Sequence, residues 1–293
     1  MPLSALGLVL LAALLHATWN IAAKRGGGDQ RFTLLTSLLT CIVWLPAGLW
    51  FGWSEVPRWG LLAWGVVLLS AALHLVYFNA LLKGYRVGDL TVVYPLARGS
   101  APLITAGASV LLLGERLSAL GAIGVLAVCG GVFLIAGGPG LWQRAHDPAQ
   151  RERTRAGLRW GLITGGLIAA YSVVDGYAIK VLAIGPVVLD YVCNVLRVPL
   201  QLPTLLRHRA GLLAVWRTQW PHALVVATLG PLGYVLVLYA LQLAPLSHVA
   251  PAREMSMLLA ALLGGQLLGE KERGLRVLGA ACIAGGVMAL ALG

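Results

Sequence analysis

The chain reads as an all-α, polytopic membrane protein of ten transmembrane helices in two inverted five-helix repeats. Three features carry that expectation. Hydrophobic residues make up 59% of the 293 positions and charged residues only 11%, against about 25% charge in a soluble domain; mean hydropathy is +0.83. Ten apolar runs follow one another, each near the ~20 residues a bilayer core demands. Several features of the first half return in the second at one fixed offset. This composition excludes a soluble globular protein, a disordered chain and a disulfide scaffold.

The runs fall at 3–23, 32–52, 59–82, 90–113, 118–137, 157–179, 184–206, 222–243, 246–268 and 274–292. The first lacks a basic leader and is long for a signal-peptide core, so it reads as a retained helix. The longest polar stretch, Gly138 to Ala156, carries Arg144, His146, Asp147, Arg151, Glu152, Arg153 and Arg155. It divides the chain into a first repeat (1–137), a linker (138–156) and a second repeat (157–293). A shift of 155 residues lays Leu112-Leu113-Gly114-Glu115-Arg116 on Leu267-Leu268-Gly269-Glu270-Lys271, Ala97-Arg98 on Ala252-Arg253, and Gly130-Gly131-Val132 on Gly285-Gly286-Val287. The same shift lays Asn20 on Asp175 and His16 on Tyr171. Five spans per repeat make the second copy enter from the opposite side, which gives a pseudo-two-fold axis in the membrane plane and two related conformations.

Net charge is +11. The basic residues sit in short gaps between apolar runs, which points to membrane orientation and anionic lipid headgroups and away from nucleic acid. Lys24, Arg25, Lys83, Arg86, Arg207 and Lys271 are among those crowding the odd-numbered loops, against chiefly Arg58, Arg116, Arg159 and Lys180 on the other side. The imbalance places the odd loops in the cytoplasm and both termini outside. Cys41, Cys129, Cys193 and Cys282 lie in apolar stretches without a CxxC pair, and the six histidines show no metal spacing. No P-loop is present, and no Ser/His/Asp set or paired-acid constellation has supporting spacing, so an enzyme, a metal and a cofactor are not expected.

The doubled Leu-Leu-Gly-Glu at 112–115 and 267–270, the segment Gly88-Asp89-Leu90-Thr91-Val92-Val93-Tyr94-Pro95-Leu96-Ala97-Arg98-Gly99, and the opening Leu15-His16-Ala17-Thr18-Trp19-Asn20 with Lys24 resemble the drug/metabolite transporter superfamily in its ten-helix EamA form. The opening and the Tyr-Pro-Leu-Ala-Arg segment are similar to a branch found among phosphonate-utilisation genes. The second half departs from the pattern, with Ala250-Pro251-Ala252-Arg253-Glu254 in place of the Tyr and Gly. The resemblance implies a multi-pass carrier in a bacterial cytoplasmic membrane, with a small metabolite as cargo. A proton as coupling ion and a monomeric or homodimeric state both stay open.

Ionised groups inside a bilayer cost about 2.5–3.5 kcal/mol each on insertion scales and face a bundle interior or a wet cavity. Arg98, Asp175, Asp190, Arg197, Arg253 and Glu254 all fall within predicted spans. In the seventh run, Asp190, Asn194, Arg197 and Gln201 recur on one helical face, as a cavity wall or as a polar seam between helices. In the fourth, Tyr94 and Arg98 share a face around Pro95, which tends to kink the helix; Pro251 and Arg253 repeat the idea in the ninth. A guanidinium suits carboxylate or phosphate, so Arg98 and Arg253 are candidates for an anionic group of the substrate. The alternative is an ion pair with Asp175, Asp190 or Glu254. His16 with Asn20, Tyr171 with Asp175, His74 with Tyr77, and Tyr234 complete the candidate substrate-binding set. Trp44, Trp50, Trp53 and Trp59 read as interfacial aromatics, and Glu115 and Glu270 as structural groups at helix ends. Two transport hypotheses follow: a small organic anion or zwitterion on the arginines, or a cationic amine on Asp175, Asp190 and Glu254 exchanged for protons. A passive membrane scaffold would show polar seams with no central cavity.

Overall fold

The computed structural model describes residues 1–25, 30–88, 90–135, 151–207, 211–256, 258 and 273–293. Among the described residues, apolar runs without β-patterning become helices: α1 (Leu3–Arg25), α2 (Gln30–Val43), α3 (Leu45–Gly52), α4 (Leu61–Val87), α5 (Leu90–Leu112), α6 (Ala119–Ile135), α7 (Arg151–Lys180), α8 (Pro186–Arg207), α9 (Leu212–Leu243), α10 (Leu246–Ala252) and α11 (Arg273–Leu292). By length and composition α4, α7 and α9 can cross a membrane, and α2 with α3 qualify together as one span bent by 54°. The shorter apolar α6, at 17 residues and ~1.5 Å rise per residue, still approaches the ~30 Å hydrocarbon thickness.

The solvent logic of a soluble protein is inverted. Leu61, Leu111, Trp50 and Trp53 are each more than 80% exposed on the outer surface, whereas Asp175, Asp190 and Glu254 are buried at 5% exposure or less. Such a surface is stable only in lipid, where the outward side chains lose nothing and the inward charges gather away from hydrocarbon.

Several boundaries differ from the sequence expectation, each for a local reason. The single run 32–52 breaks at Trp44, where Pro46 opens α3; Trp44 Nε1 donates to Ala227 O of α9 at 3.2 Å. Trp44 is therefore a packing residue, while Trp50 and Trp53 keep the exposure of interfacial aromatics. Helix α7 begins at Arg151, so residues 151–156 of the expected linker are helical; residues 136–150 lie outside the described set. Helix α9 begins ten residues before its apolar run. Helix α5 is one helix from Leu90 to Leu112. Its partner in the second half, α10, instead stops after Pro251, and Arg253 and Glu254 form a tight turn in which Glu254 N bonds Pro251 O at 3.0 Å and Ser256 N bonds Arg253 O at 3.1 Å.

Helix packing rests on small residues. A Cβ on Gly161 or Gly165 of α7 would meet Leu96 Cβ of α5 at 2.9 Å or Ser100 Oγ at 2.1 Å, so this GxxxG lets the two backbones approach. At the α6–α11 crossing, Cβ atoms on Gly124 and Gly131 would stand 2.7 Å from Gly286 O and 2.5 Å from Gly279 O, and those on Gly286 and Gly279 would stand 2.7 Å from Gly124 O and Gly131 O. The pairing 124 with 286 and 131 with 279 makes the helices antiparallel. Helix α1 packs on α9 as α4 packs on α7, and α2 on α9 as α4 on α8.

One end of the bundle is tied by Glu115, in the loop outside the spanning helices. Gly114, with φ 65°, turns the chain after α5. The Glu115 carboxylate then accepts from Lys180 Nζ at 2.6 Å and from the backbone N–H groups of Leu246 and Ser247 at 2.7 and 2.9 Å. It caps α10, whose first amides have no partner within the helix. Burial pushes this carboxyl up, but the bonds from Lys180, Ser247 and Leu246 outweigh it and hold the pKa down at about 2. Glu270 and the second Leu-Leu-Gly-Glu lie outside the described residues.

Candidate functional site

Three polar groups occupy the interior. The first lines a small cavity of about 20 Å³ between Ala12, Ala13 and His16 of α1, Arg98 of α5, Gly233, Tyr234 and Val237 of α9, and Arg253 of the turn after α10. A single water needs roughly 10–15 Å³, so the space between these side chains is of the order of one water. Small residues make the space: a Cβ on Gly233 would stand 3.5 Å from Ala12 O. The two arginines enter it differently. Arg98 Nε lies 3.0 Å from Glu254 Oε2, and Arg98 Nη2 donates to Ser256 Oγ at 3.0 Å. Arg253 lays its guanidinium over the Tyr234 ring, 5.5 Å from the centroid, and makes no ion pair among the described residues. His16, edge-on to Trp19 at 4.7 Å, completes the wall.

The second group sits behind Tyr234. Asp175 of α7 is 1% exposed and accepts from Ser70 Oγ of α4 at 2.5 Å and from the Tyr234 hydroxyl. His74 Nε2 faces the same carboxylate oxygen at 3.8 Å. Its Nδ1 lies 3.0 Å from Ser70 O, which only accepts, so Nδ1 carries a proton; toward Asp175, Nε2 presents a lone pair in the neutral ring and a second proton in the imidazolium. The His74 ring stacks on Tyr171 at 4.0 Å, and Tyr77 tilts against Tyr171 at 5.4 Å.

The third group is the α8 stripe. Asn194 Nδ2 donates to Asp190 Oδ2 at 3.0 Å, and Gln201 Nε2 donates to Ser37 Oγ of α2 at 3.1 Å. Asp190, Asn194 and Gln201 are buried, and none of the stripe lines the cavity. Only Gln201 ties the stripe to α2; the bond between Asn194 and Asp190 lies within α8.

Of the residues expected from sequence, the cavity gathers His16, Arg98, Tyr234 and Arg253, with Glu254 attached through Arg98. His74, Tyr77, Tyr171 and Asp175 form the cluster behind it. The side chains of Asn20 and Tyr94 lie outside the described set. Sequence reasoning missed Ser70 and Ser256. Ser70 carried a signal, since it stands one turn before His74 on an otherwise apolar helix. Ser256 carried none, because a serine after a charged pair is unremarkable in composition. Among the described residues no group of His, Cys, Asp and Glu could hold a metal ion.

The EamA-like transporter family model matches residues 3–137 and again 156–292. The chain belongs to the EamA-like transporter family. It is an integral, multi-pass membrane protein of the drug/metabolite transporter superfamily, with a transport function and a small-molecule substrate. A solved crystal structure, described only as that of a protein, superposes with a TM-score of 0.77 at 18% identity, over 100% of this chain and 98% of its own; at that identity the likeness is one of fold. No curated protein sequence matches.

Proposed function

We propose that the chain is a secondary transporter that moves a small organic anion or zwitterion, such as an amino acid or a phosphonate-like compound, by alternating access across a bacterial inner membrane. The carrying observation is Arg253. Its guanidinium faces the cavity with an aromatic ring beneath it and, among the described residues, no ion pair, at a break in the helix, which is where carriers with broken helices bind cargo. A buried cation facing a hollow is completed by an anion, and the planar donor fork fits carboxylate or phosphonate. Arg98, fixed by Glu254 and Ser256, supplies a second positive wall. The acids are less suited to an amine: Glu254 is paired with Arg98, Asp175 accepts two hydroxyls, and Asp190 accepts from Asn194.

Ten spans in two inverted five-helix repeats, residues 1–137 and 157–293 about the segment 138–156, are the architecture this reading rests on. Three observations support it: the single offset of 155, the reciprocal glycine contacts of antiparallel α6 and α11, and helix contacts that recur when the halves are exchanged. The basic odd loops favour a cytoplasmic position for them.

The test is uptake in proteoliposomes of radiolabelled amino acids, phosphonates, nucleosides and tetraethylammonium. Losing a charge-assisted bidentate contact of about 3 kcal/mol predicts that Arg253→Gln slows uptake of the accepted anion on the order of a hundredfold with unchanged thermal stability. Normal uptake by that variant would remove the anion site, and proton-inhibited uptake of tetraethylammonium would install the amine reading instead.

A further inference from the structure

We infer that His74 and Asp175 share one exchangeable proton, and that Tyr234 links this proton site to the cavity so that proton and anion bind together. The inference rests on the carrier reading for its consequence, but its geometry stands apart from the identity of the cargo.

Asp175 is a carboxylate in a transmembrane helix that makes no ion pair with an arginine or lysine among the described residues. It is held by the Ser70 and Tyr234 hydroxyls, and Nε2 of His74 faces it at 3.8 Å, with a lone pair toward it whenever the ring is neutral. A lone pair facing a carboxylate oxygen is repulsive; one added proton on either atom turns the contact into an attraction. The site thus has two states that differ by one proton, which arrives on His74 Nε2 and passes to Asp175 Oδ2 as the gap closes. The groups facing it are His74 from α4, Tyr234 from α9, Asp190, Cys193 and Arg197 from α8, and Arg253 from the turn after α10. Helix α5 meets α7 beside Tyr171 through Ala101, and Arg98 and His16 stand across the cavity.

Tyr234 belongs to both sites. Its hydroxyl donates to Asp175, its ring lies under Arg253, and it lines the cavity. Once Asp175 carries a proton, that oxygen no longer needs the Tyr234 donor, and the ring is released from beneath the guanidinium. An anion on Arg253 places negative charge one tyrosine away from the carboxylate, and like charges so near oppose each other. Anion and proton therefore favour each other's binding, reciprocally. The linkage predicts symport of anion and proton.

The test begins without any ligand. Infrared spectra of the purified full chain, titrated from about pH 5 to about pH 9, follow the C=O stretch of protonated carboxyls. The expected result is a titrating band that disappears in Asp175→Asn, survives in Asp190→Asn, and is accompanied by a tyrosine ring band that is lost in Tyr234→Phe. The proposal is overturned if Asp175→Asn leaves every titrating carboxyl band in place, or if the tyrosine band does not follow the carboxyl. In proteoliposomes with methylphosphonate as probe, wild-type uptake is expected to fall about tenfold per pH unit above the titration midpoint, and Asp175→Asn and His74→Gln to flatten that slope. An unchanged slope in both variants overturns the linkage. A carboxyl that titrates while no anion is taken up keeps the proton site and removes the carrier reading; anion uptake with no titrating Asp175 does the reverse.

Discussion

The α6–α11 crossing and the α5–α10 region are built from equivalent parts of the two halves, yet they treat the 155-residue correspondence in opposite ways. At the crossing, Gly124 and Gly131 correspond to Gly279 and Gly286, and a Cβ added to any of the four would stand 2.5–2.7 Å from the carbonyl of the glycine opposite. At α5 and α10 the equivalent arginines part company. Arg98 sits on one helix running to Leu112 and is pinned by Glu254 and Ser256, whereas Arg253 sits in a turn over Tyr234. Equivalence is kept where the halves hold each other and given up where the interior is charged. A backbone-to-backbone contact is two-sided by nature, so a change on one helix spoils both. On the proposed reading, the arginine wall faces cargo that has no two-fold axis of its own.

The largest expected effect tests the kept equivalence. Gly131→Leu drives a side chain into the Gly279 carbonyl and Ile283, while Gly130→Ala meets nothing within 4 Å. Overpacking costs about 1–3 kcal/mol or more, and backbone on both sides leaves little to yield. Gly131→Leu should lose folded protein in detergent, read by size exclusion and thermal unfolding, with Gly130→Ala unaffected. Next comes the broken equivalence. Arg98→Gln strands Glu254 in the interior, a loss of about 3–5 kcal/mol, and adding Glu254→Gln should restore most of the stability. If Arg253→Gln destabilises as much as Arg98→Gln, the asymmetry between the arginines is not real.

The smallest effect concerns the tie at Glu115. Its pKa is held below the ordinary value of 4.5, at about 2. A depressed folded pKa contributes stability above the unfolded value and loses it as pH falls through the folded one. The melting-temperature difference between wild type and Glu115→Gln should therefore be full above about pH 5 and shrink steadily toward pH 2. A difference that stays constant over that range would break the assignment of the carboxylate as the α10 cap.

Much of this was legible in the residues. The apolar runs gave the described helices because hydrophobic length is a local property, and the first Leu-Leu-Gly-Glu marked a real helix end, with Gly114 left-handed and Glu115 capping. The interior charges were also visible, since a lone Arg or Asp in a span has few places to go. Their partners were not. That Arg98 meets Glu254, 156 positions away in sequence, or that Asp175 meets Ser70, depends on how helices rotate in packing, which side-chain spacing within one helix does not contain. The α8 stripe shows the same limit: its spacing announced a polar face, and only the fold says that the face meets Ser37 of α2. The break at Trp44 was hidden for a different reason, because leucine and tryptophan continue the apolar run through it.

A cavity of about 20 Å³ is smaller than an amino acid or a phosphonate. On the carrier reading proposed above, helices must part before cargo enters, and the work of parting them is subtracted from whatever the arginines return. Association should then be slower than diffusion and its rate should saturate with ligand concentration.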